Sequence, residues 1–387
     1  MKITDVQACV IGTQEEHSGG SVWTFVRVYT DEGIVGTGEC NSGGPGYSGF
    51  ATKAAITAMT PLLVGEDPFN IHLLYEKMRR GGRYGGSTNA PIIFAITGIE
   101  NALYDIVGKA LNVPVYKLLG GKFRSDIQLY ADCHAGASND PKAYGDKALE
   151  VIAEGFGAVK FDVDSTGTGK LDMHNWTVGA REMSHIIGLI EGIRGSIGYE
   201  IDLAIDCHGQ FDLPSAITLA KAVEPLRLLW LEEPVPAENI DALAQVRRSS
   251  STVICTGENQ YTRFEFMELF ARQAVDVIMP DLAKAGGIAE AKRIADLADV
   301  HYIPIAPHNV SSPLGMMAAC HVMASIPNFL FLEFHARDIP WWNDLCEGDR
   351  PFVQNGKMTV SERPGIGIEL NDEVARRLVW NGDTYFS

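Results

Sequence analysis

The sequence predicts an α/β fold: a (β/α)8-type barrel, a modified TIM barrel, covered by a discontinuous α+β domain. Three observations lead there. From about residue 126, short apolar runs alternate with amphipathic helical stretches eight times in about 235 residues. Asp206, Glu232 and Glu258 lie at equal intervals of 26 residues (206 to 232, then 232 to 258), each after an apolar run. That interval is what a strand and its crossover helix occupy before the next parallel strand. The first 120 or so residues show a different pattern, strands followed by helices rather than alternating with them.

In chain order, residues 1–11 and 22–39 carry strand-like alternation, with a turn at Asp31-Glu32-Gly33. Helical periodicity follows over 51–63, 71–78 and 91–111, ended near Asn112-Val113-Pro114. Residues 14–21 and the glycine-rich 41–49 have the composition of lid loops. Barrel strands are expected to end near Ala131, Phe161, Ile205, Leu231, Thr256, Met279, Ile305 and Leu332. An insert at 164–176 follows the second strand and is placed to cover a site. Residues 352–370 contain Asn355-Gly356 and Pro364-Gly365-Ile366-Gly367, and are expected to return to the first domain as a hairpin. The expected division is a cap over 1–122, a barrel over 123–350, and a returning segment over 351–387.

Length and composition set limits on function. A chain of 387 residues accommodates one large barrel and a smaller companion. Its net charge of −17 disfavours nucleic acid and anionic membranes as partners. The N-terminus has no secretory pattern, and no run of 18 apolar residues is present. Seven cysteines form no CxxC pair, and an odd number argues against full pairing, so a reduced, cytoplasmic setting is expected.

Each of these acids, taken singly, could be a surface salt-bridge partner. Three in phase at strand ends are not explained that way, because that rim is where barrels carry their chemistry. Three converging carboxylates repel unless a hard cation neutralises them, and oxygen-only ligation suits Mg²⁺. The side-chain period of two points Asp206 and His208 the same way and pairs Lys160 with Asp162. Only one of Glu232 and Glu233 can point inward, and either is open. Asp281 and His308 close the sixth and seventh strands, where the carboxylate would orient the imidazole and raise its basicity. Glu333 closes the eighth and needs a cation, a proton or substrate. His335, Asp132 and His134 stay undecided.

The stretches IDCHG (205–209), LEEPVPAEN (231–239), TGENQYTRFEF (256–266), MPDLAKAGG (279–287), APHNVSSPLG (306–315), LEF (332–334) and PGIGIE (364–369) resemble the enolase superfamily, mandelate racemase-type subgroup. Within it the chain is most similar to acid-sugar dehydratases of the galactonate dehydratase kind. The resemblance implies Mg²⁺ on Asp206, Glu232 and Glu258, His308 with Asp281 as base, His208 as acid, and Glu333 on the substrate carboxylate. Enolase-type enzymes are themselves a known case of Lys or His bases working with Mg²⁺ on an enediolate, so these roles come from the resemblance. It further implies a homo-oligomer acting on a small sugar acid. One departure stands out: racemases of the subgroup carry Lys-x-Lys at the second strand's end, and here the stretch is Lys160-Phe161-Asp162. Loss of the second lysine argues against racemisation.

The expected reaction removes the proton α to the carboxylate and expels the β-hydroxyl, giving a 2-keto-3-deoxy sugar acid. His17, Tyr47, Arg83 and Tyr84, in glycine-rich cap segments, are candidates for gripping the substrate together with Lys160 and Asp162. Trp341-Trp342 would wall the pocket or lie at an oligomer interface. The rivals are a racemase, epimerase or cycloisomerase using the same enediolate, and a non-catalytic carboxylate-binding protein.

Overall fold

The computed structural model describes residues 1–13, 22–42, 46–81, 90–136, 138–163 and 174–386. His17, Arg83, Tyr84 and most of the 164–176 insert lie outside them.

The N-terminal layer is an antiparallel sheet of β1 (Ile3–Gly12), β2 (Val22–Thr30) and β3 (Val35–Cys40), packed on α1 (Gly46–Leu63), α2 (Ile71–Arg79) and α3 (Ala90–Leu111). Among the described helices, α3 alone is long and apolar enough to span a membrane. Its 18-residue window is 83% buried inside the protein, so its apolar surface belongs to the core. A short helix, α4 (Val115–Leu118), leads into the barrel.

Barrel strands and helices then alternate: β4 (Asp126–Cys133), α5 (Pro141–Ala153), β5 (Ala158–Asp162), α6 (Ala180–Ile197), β6 (Asp202–Asp206), α7 (Leu213–Ala222), β7 (Trp230–Glu232), α8 (Ile240–Ser249), β8 (Ile254–Thr256), α9 (Thr262–Ala271), β9 (Val277–Ile278), α10 (Ile288–Val300), α11 (Pro313–Ala324) and β10 (Leu332–Phe334). The pairing is parallel from β4 to β9, and β10 returns to β4 to close the ring. The seventh staves in at one residue: Ile305 bridges Ile278 on one side and Phe329 on the other. Asp140, Asp212, Asn239 and Ser312 cap helices through their side chains, three of them followed by a proline in the first turn.

Inside the ring, Tyr130, Ala158, Ala204, Trp230, Cys255, Val277, Met279 and Ala306 form one buried cluster. Alanines on β5 and β6 leave room for the edge-to-face pair of Tyr130 and Trp230, whose centroids are 5.2 Å apart. This floor fixes parity, since two residues further along each strand the side chain stands at the rim.

Two expectations need correction. A hairpin of β12 (Val353–Gln354) and β13 (Lys357–Thr359) does form at Asn355-Gly356, after the short strand β11 (Cys346–Glu347). Both turn residues have positive φ, as a two-residue hairpin of this sequence requires. Its partner, however, is barrel strand β4 and not the N-terminal sheet. Past the hairpin the chain does return to the N-terminal domain: Gly365 bridges Pro114 and the Ile366 N–H donates to Asp105 of α3 at 2.9 Å, and beyond β14 (Glu369–Leu370) and α12 (Asp372–Arg377) Val379 bridges Ile11. Nor does Trp342 line the rim cavity beside His208 or lie on the surface. It is 1% exposed, wedged between Phe334 and Phe352, with Nε1 donating to the Ser311 carbonyl at 3.0 Å. Trp341 packs edge-on against Trp23.

Candidate active site

Two steps beyond the floor, Lys160, Asp206, Glu232, Asp281, His308 and Glu333 meet at the C-terminal rim. All are buried. Lys160 Nζ lies 2.9 Å from Asp206 Oδ2, 3.3 Å from Glu232 Oε2 and 2.8 Å from Glu333 Oε1. Burial works against its charge, but these three carboxylates outweigh it and hold the ammonium well above its ordinary range.

Glu258 joins from the other side. It follows Gly257, whose φ of +149° and 2.8 Å approach to the Met279 nitrogen exclude any side chain there. The turn takes Glu258 out of strand phase and brings its Oε2 to 2.8 Å from His308 Nε2. The opposite ring nitrogen of His308, Nδ1, is 2.9 Å from Asp281 Oδ2. Burial opposes the imidazolium, yet Glu258 and then Glu333 hold His308 well above the usual histidine range. Lys284, three residues after Asp281, sits 3.2 Å from the same carboxylate. It had not been singled out.

The paired glutamates turn to different partners. Glu232 faces the ring, where Trp230 Nε1 also donates to it at 3.2 Å. Glu233, with φ of +35°, turns to Thr256 and Asn259 instead. Burial, then the charges of Glu258 and Asp206, pushes its carboxyl up to about 8. Both Glu233 and Asn259 line a cavity of about 800 Å³ with His208, Trp176 and Tyr261, under the start of α3 at Ala90.

His208 follows Asp206 at a positive φ of 44°, its backbone N–H donating to Asp206 Oδ1 at 2.9 Å. Its side chain is 40% exposed. His208 follows the third strand and His308 the seventh, half a turn apart in an eight-stranded ring, so they face a substrate from opposite sides. Asp162 stands beside Asp206 in register. Burial, followed by Asp132 and Asp206, pushes it up to about 7. Tyr47, 78% exposed, projects from the first turn of α1. Neighbouring Ser48 is tied through Asn41 to Ala283, just past Asp281.

Asp206, Glu232 and Glu258 supply the all-oxygen donor chemistry of a hard divalent cation, although their donor atoms do not all lie within 4.8 Å of one another. Burial and then the neighbouring Asp206 charge push Glu232 well above the usual carboxylate range, an anion-rich cradle that a cation would relieve. Asp206 and Glu232 share Lys160, while Glu258 reaches them through His308 and Glu333. Among the described residues, the groups of three whose donor atoms all lie within 4.8 Å are Asp162–Asp206–His208 and Asp132–His134–His335.

Residues 143–374 match the family described as enolase C-terminal domain-like, and residues 10–120 match the mandelate racemase / muconate lactonizing enzyme N-terminal domain. The chain is 42% identical over 386 residues to a D-xylonate dehydratase of Haloferax volcanii, spanning 100% of this chain and 90% of that protein. It is 33% identical over 362 residues to a D-galactonate dehydratase of Xanthomonas axonopodis pv. citri, spanning 92% and 90%. A solved mandelate racemase/muconate lactonizing enzyme-like protein from Rubrobacter xylanophilus superposes with a TM-score of 0.92 at 44% identity, over 100% of this chain and 99% of that one. A solved enolase superfamily member from Salmonella Typhimurium gives 0.89 at 30% identity, over 97% and 98%. Enzymes of this superfamily use a divalent metal. With both halves matched and the rim built as described, the chain belongs to the enolase superfamily, in its mandelate racemase / muconate lactonizing enzyme division.

Proposed function

We propose that the protein is a Mg²⁺-dependent sugar-acid dehydratase, a hydro-lyase that converts an aldonate or aldarate into its 2-keto-3-deoxy acid. Relatives named as xylonate and galactonate dehydratases support the reaction class. The single observation that carries the mechanism is the contrast between the two rim histidines: one buried and bound to Asp281, the other half exposed beside the cavity.

Asp206, Glu232 and Glu258 would hold the ion, which when bound supplies Lewis-acid stabilisation of charge developing on the substrate carboxylate. His308 accepts the C2 proton at Nε2, with Asp281 fixing its tautomer through Nδ1. Lys160, held cationic by its three acids, adds fixed positive charge near the same carboxylate, and Glu333 orients it. His208 delivers a proton to the departing C3 hydroxyl from the opposite side. Where racemases of the subgroup carry the second lysine of Lys-x-Lys, this chain has Asp162, so that face lacks the lysine base. That favours elimination over racemisation.

Tyr47 and Asp162, with His17, Arg83 and Tyr84, are proposed to contact the hydroxylated tail. The cap is proposed as residues 1–122 with the returning tail, and the barrel as 123–350 with the hairpin on β4. A reduced, cytoplasmic setting is supported by seven buried cysteines, all among the described residues and none in a disulfide. A homo-oligomer is proposed on the family resemblance alone.

The test is incubation with a panel of aldonic and aldaric acids in D₂O with Mg²⁺. A semicarbazide-reactive keto acid carrying deuterium at C3 is the expected product. Substrate recovered with inverted C2 and no keto product would establish a racemase instead.

A further inference from the structure

We infer that the rim carries a second cation site, for a borderline transition metal of the Zn²⁺ class, built from Asp132, His134 and His335. It lies where the barrel closes. Strands β4 and β10 are the first and last of the ring, and their register pairs Ala131 with Phe334. One residue on, Asp132 therefore faces His335. On the other flank, Asp132 is opposite Lys160, which sets His134 beside Asp162.

The geometry is that of a ligand set. His335 Nε2 lies 2.5 Å and His134 Nε2 2.9 Å from one and the same oxygen, Asp132 Oδ2. The three donor atoms are mutually within 4.8 Å. The contacts are short but poorly directed as hydrogen bonds, which leaves both buried Asp132 oxygens and His134 Nε2 without a well-aligned partner. Asp132 itself is 3% exposed, and its carboxylate, facing both imidazoles in a site closed to bulk water, is an anion that a cation can bind there.

A further contact sorts the imidazole's two nitrogens. His134 Nδ1 is 3.6 Å from Asp162 Oδ2, the placement of a carboxylate that orients a metal-bound histidine from behind. Two imidazoles and one carboxylate with open positions suit Zn²⁺ or its neighbours, whereas the all-oxygen trio across the rim suits Mg²⁺. An ion here would staple the first strand to the eighth and stabilise the closed ring, since the unfolded chain lacks the site. The inference does not depend on the dehydratase reading, and either can fail alone.

The test uses full-length, chelator-stripped protein held in excess Mg²⁺ and titrated with ZnCl₂ by calorimetry. A parallel titration uses CoCl₂, whose visible d–d absorption reports nitrogen ligation. One Zn²⁺ per chain, a Co²⁺ band and a raised Tm are expected. His335→Gln and His134→Gln should each weaken Zn²⁺ by at least about 100-fold and remove the band. Glu232→Gln should keep both. Circular dichroism confirms that the variants fold, and the two histidine variants answer independently if one does not. The inference is overturned if no Zn²⁺ equivalent binds beyond Mg²⁺, if neither histidine variant changes it, or if Glu232→Gln abolishes it.

Discussion

Two sets of buried acids divide the molecule. At the rim, Asp206, Glu232, Glu258 and Glu333 face Lys160, His308 and one another. At the seam between cap and barrel, equally buried acids meet backbone N–H groups. Glu100 of α3 accepts from Ile288 and Ala289 at the N-terminus of α10, at 2.7 and 3.0 Å. Glu39 accepts from the backbone of Ser312 and Gly315, both at 3.0 Å, and Asp105 from Thr37 and Ile366. Backbone donors cannot move, so these acids are structural fasteners. Side-chain cations and rival carboxylates can exchange partners with a metal or a substrate. The residue type and burial are the same, and the partner decides the role.

Two buried histidines repeat the contrast. Carboxylates hold His308 well above the histidine range, whereas burial pushes His321 at the seam down to about 4. In its neutral form His321 is fully satisfied, with Nε2 2.9 Å from the Ile366 carbonyl and Nδ1 accepting from Tyr116 N–H at 3.3 Å.

The division predicts opposite signatures for substitutions. Asp206→Asn should cost roughly 10⁴-fold in kcat/KM, the several kcal/mol that a Lewis acid contributes. For Glu232→Gln, whose carboxyl burial and the Asp206 charge push well above its usual range, the denaturant midpoint should not fall, because a repelled charge has been removed. A clear loss of stability would break the comparison from the rim side. His308→Asn should lower kcat by about 10³-fold, within the range of a positioned general base. It should also abolish exchange of the substrate's C2 proton, while parental exchange would remove His308 from the base role.

For His321 the sign follows from the direction of its shift. The group contributes its full stability above its ordinary value of 6.5. As pH falls from there toward about 4, the unfolded chain binds a proton that the folded chain refuses, and up to about 3 kcal/mol is lost. Urea unfolding across that window should show this slope in the parent and a flatter one in His321→Gln. The smallest effect is expected from Glu100→Ala, about 1 to 3 kcal/mol through the Ala289 N–H left unpaired at α10, since the Ile288 N–H keeps Asn101 Oδ1 at 3.1 Å. The activity of molecules that remain folded should stay within about two-fold, and a larger drop would mean that the seam takes part in chemistry.

The rim was legible because strand parity is periodic. An interior residue such as Ala204 or Ala306 commits Asp206 or His308 two positions later. The same rule left Glu232 and Glu233 undecided, because adjacent residues at a strand end are distinguished only by the turn that follows. The seam was not legible. Glu100 and Asp105 sit in an apolar helix, and Glu100's donors lie 188 and 189 residues away in sequence. The hairpin at Asn355-Gly356 was readable as a turn, but a turn does not name its sheet, and the first residues of β4, Asp126 to Gln128, lie ahead of its pairing with β10 and take the hairpin. Trp342 was misjudged because a tryptophan pair past the last strand carries no signal of the pocket between Phe334 and Phe352.

The central claim is that Asp206, Glu232 and Glu258 together hold the working Mg²⁺. Calorimetric titration of MgCl₂ into chelator-stripped parent and Glu232→Gln proteins tests it most directly. The account predicts one Mg²⁺ per chain in the parent and at least about 100-fold weaker binding in the variant, with the fold intact. Equal Mg²⁺ affinity in the two proteins would contradict it.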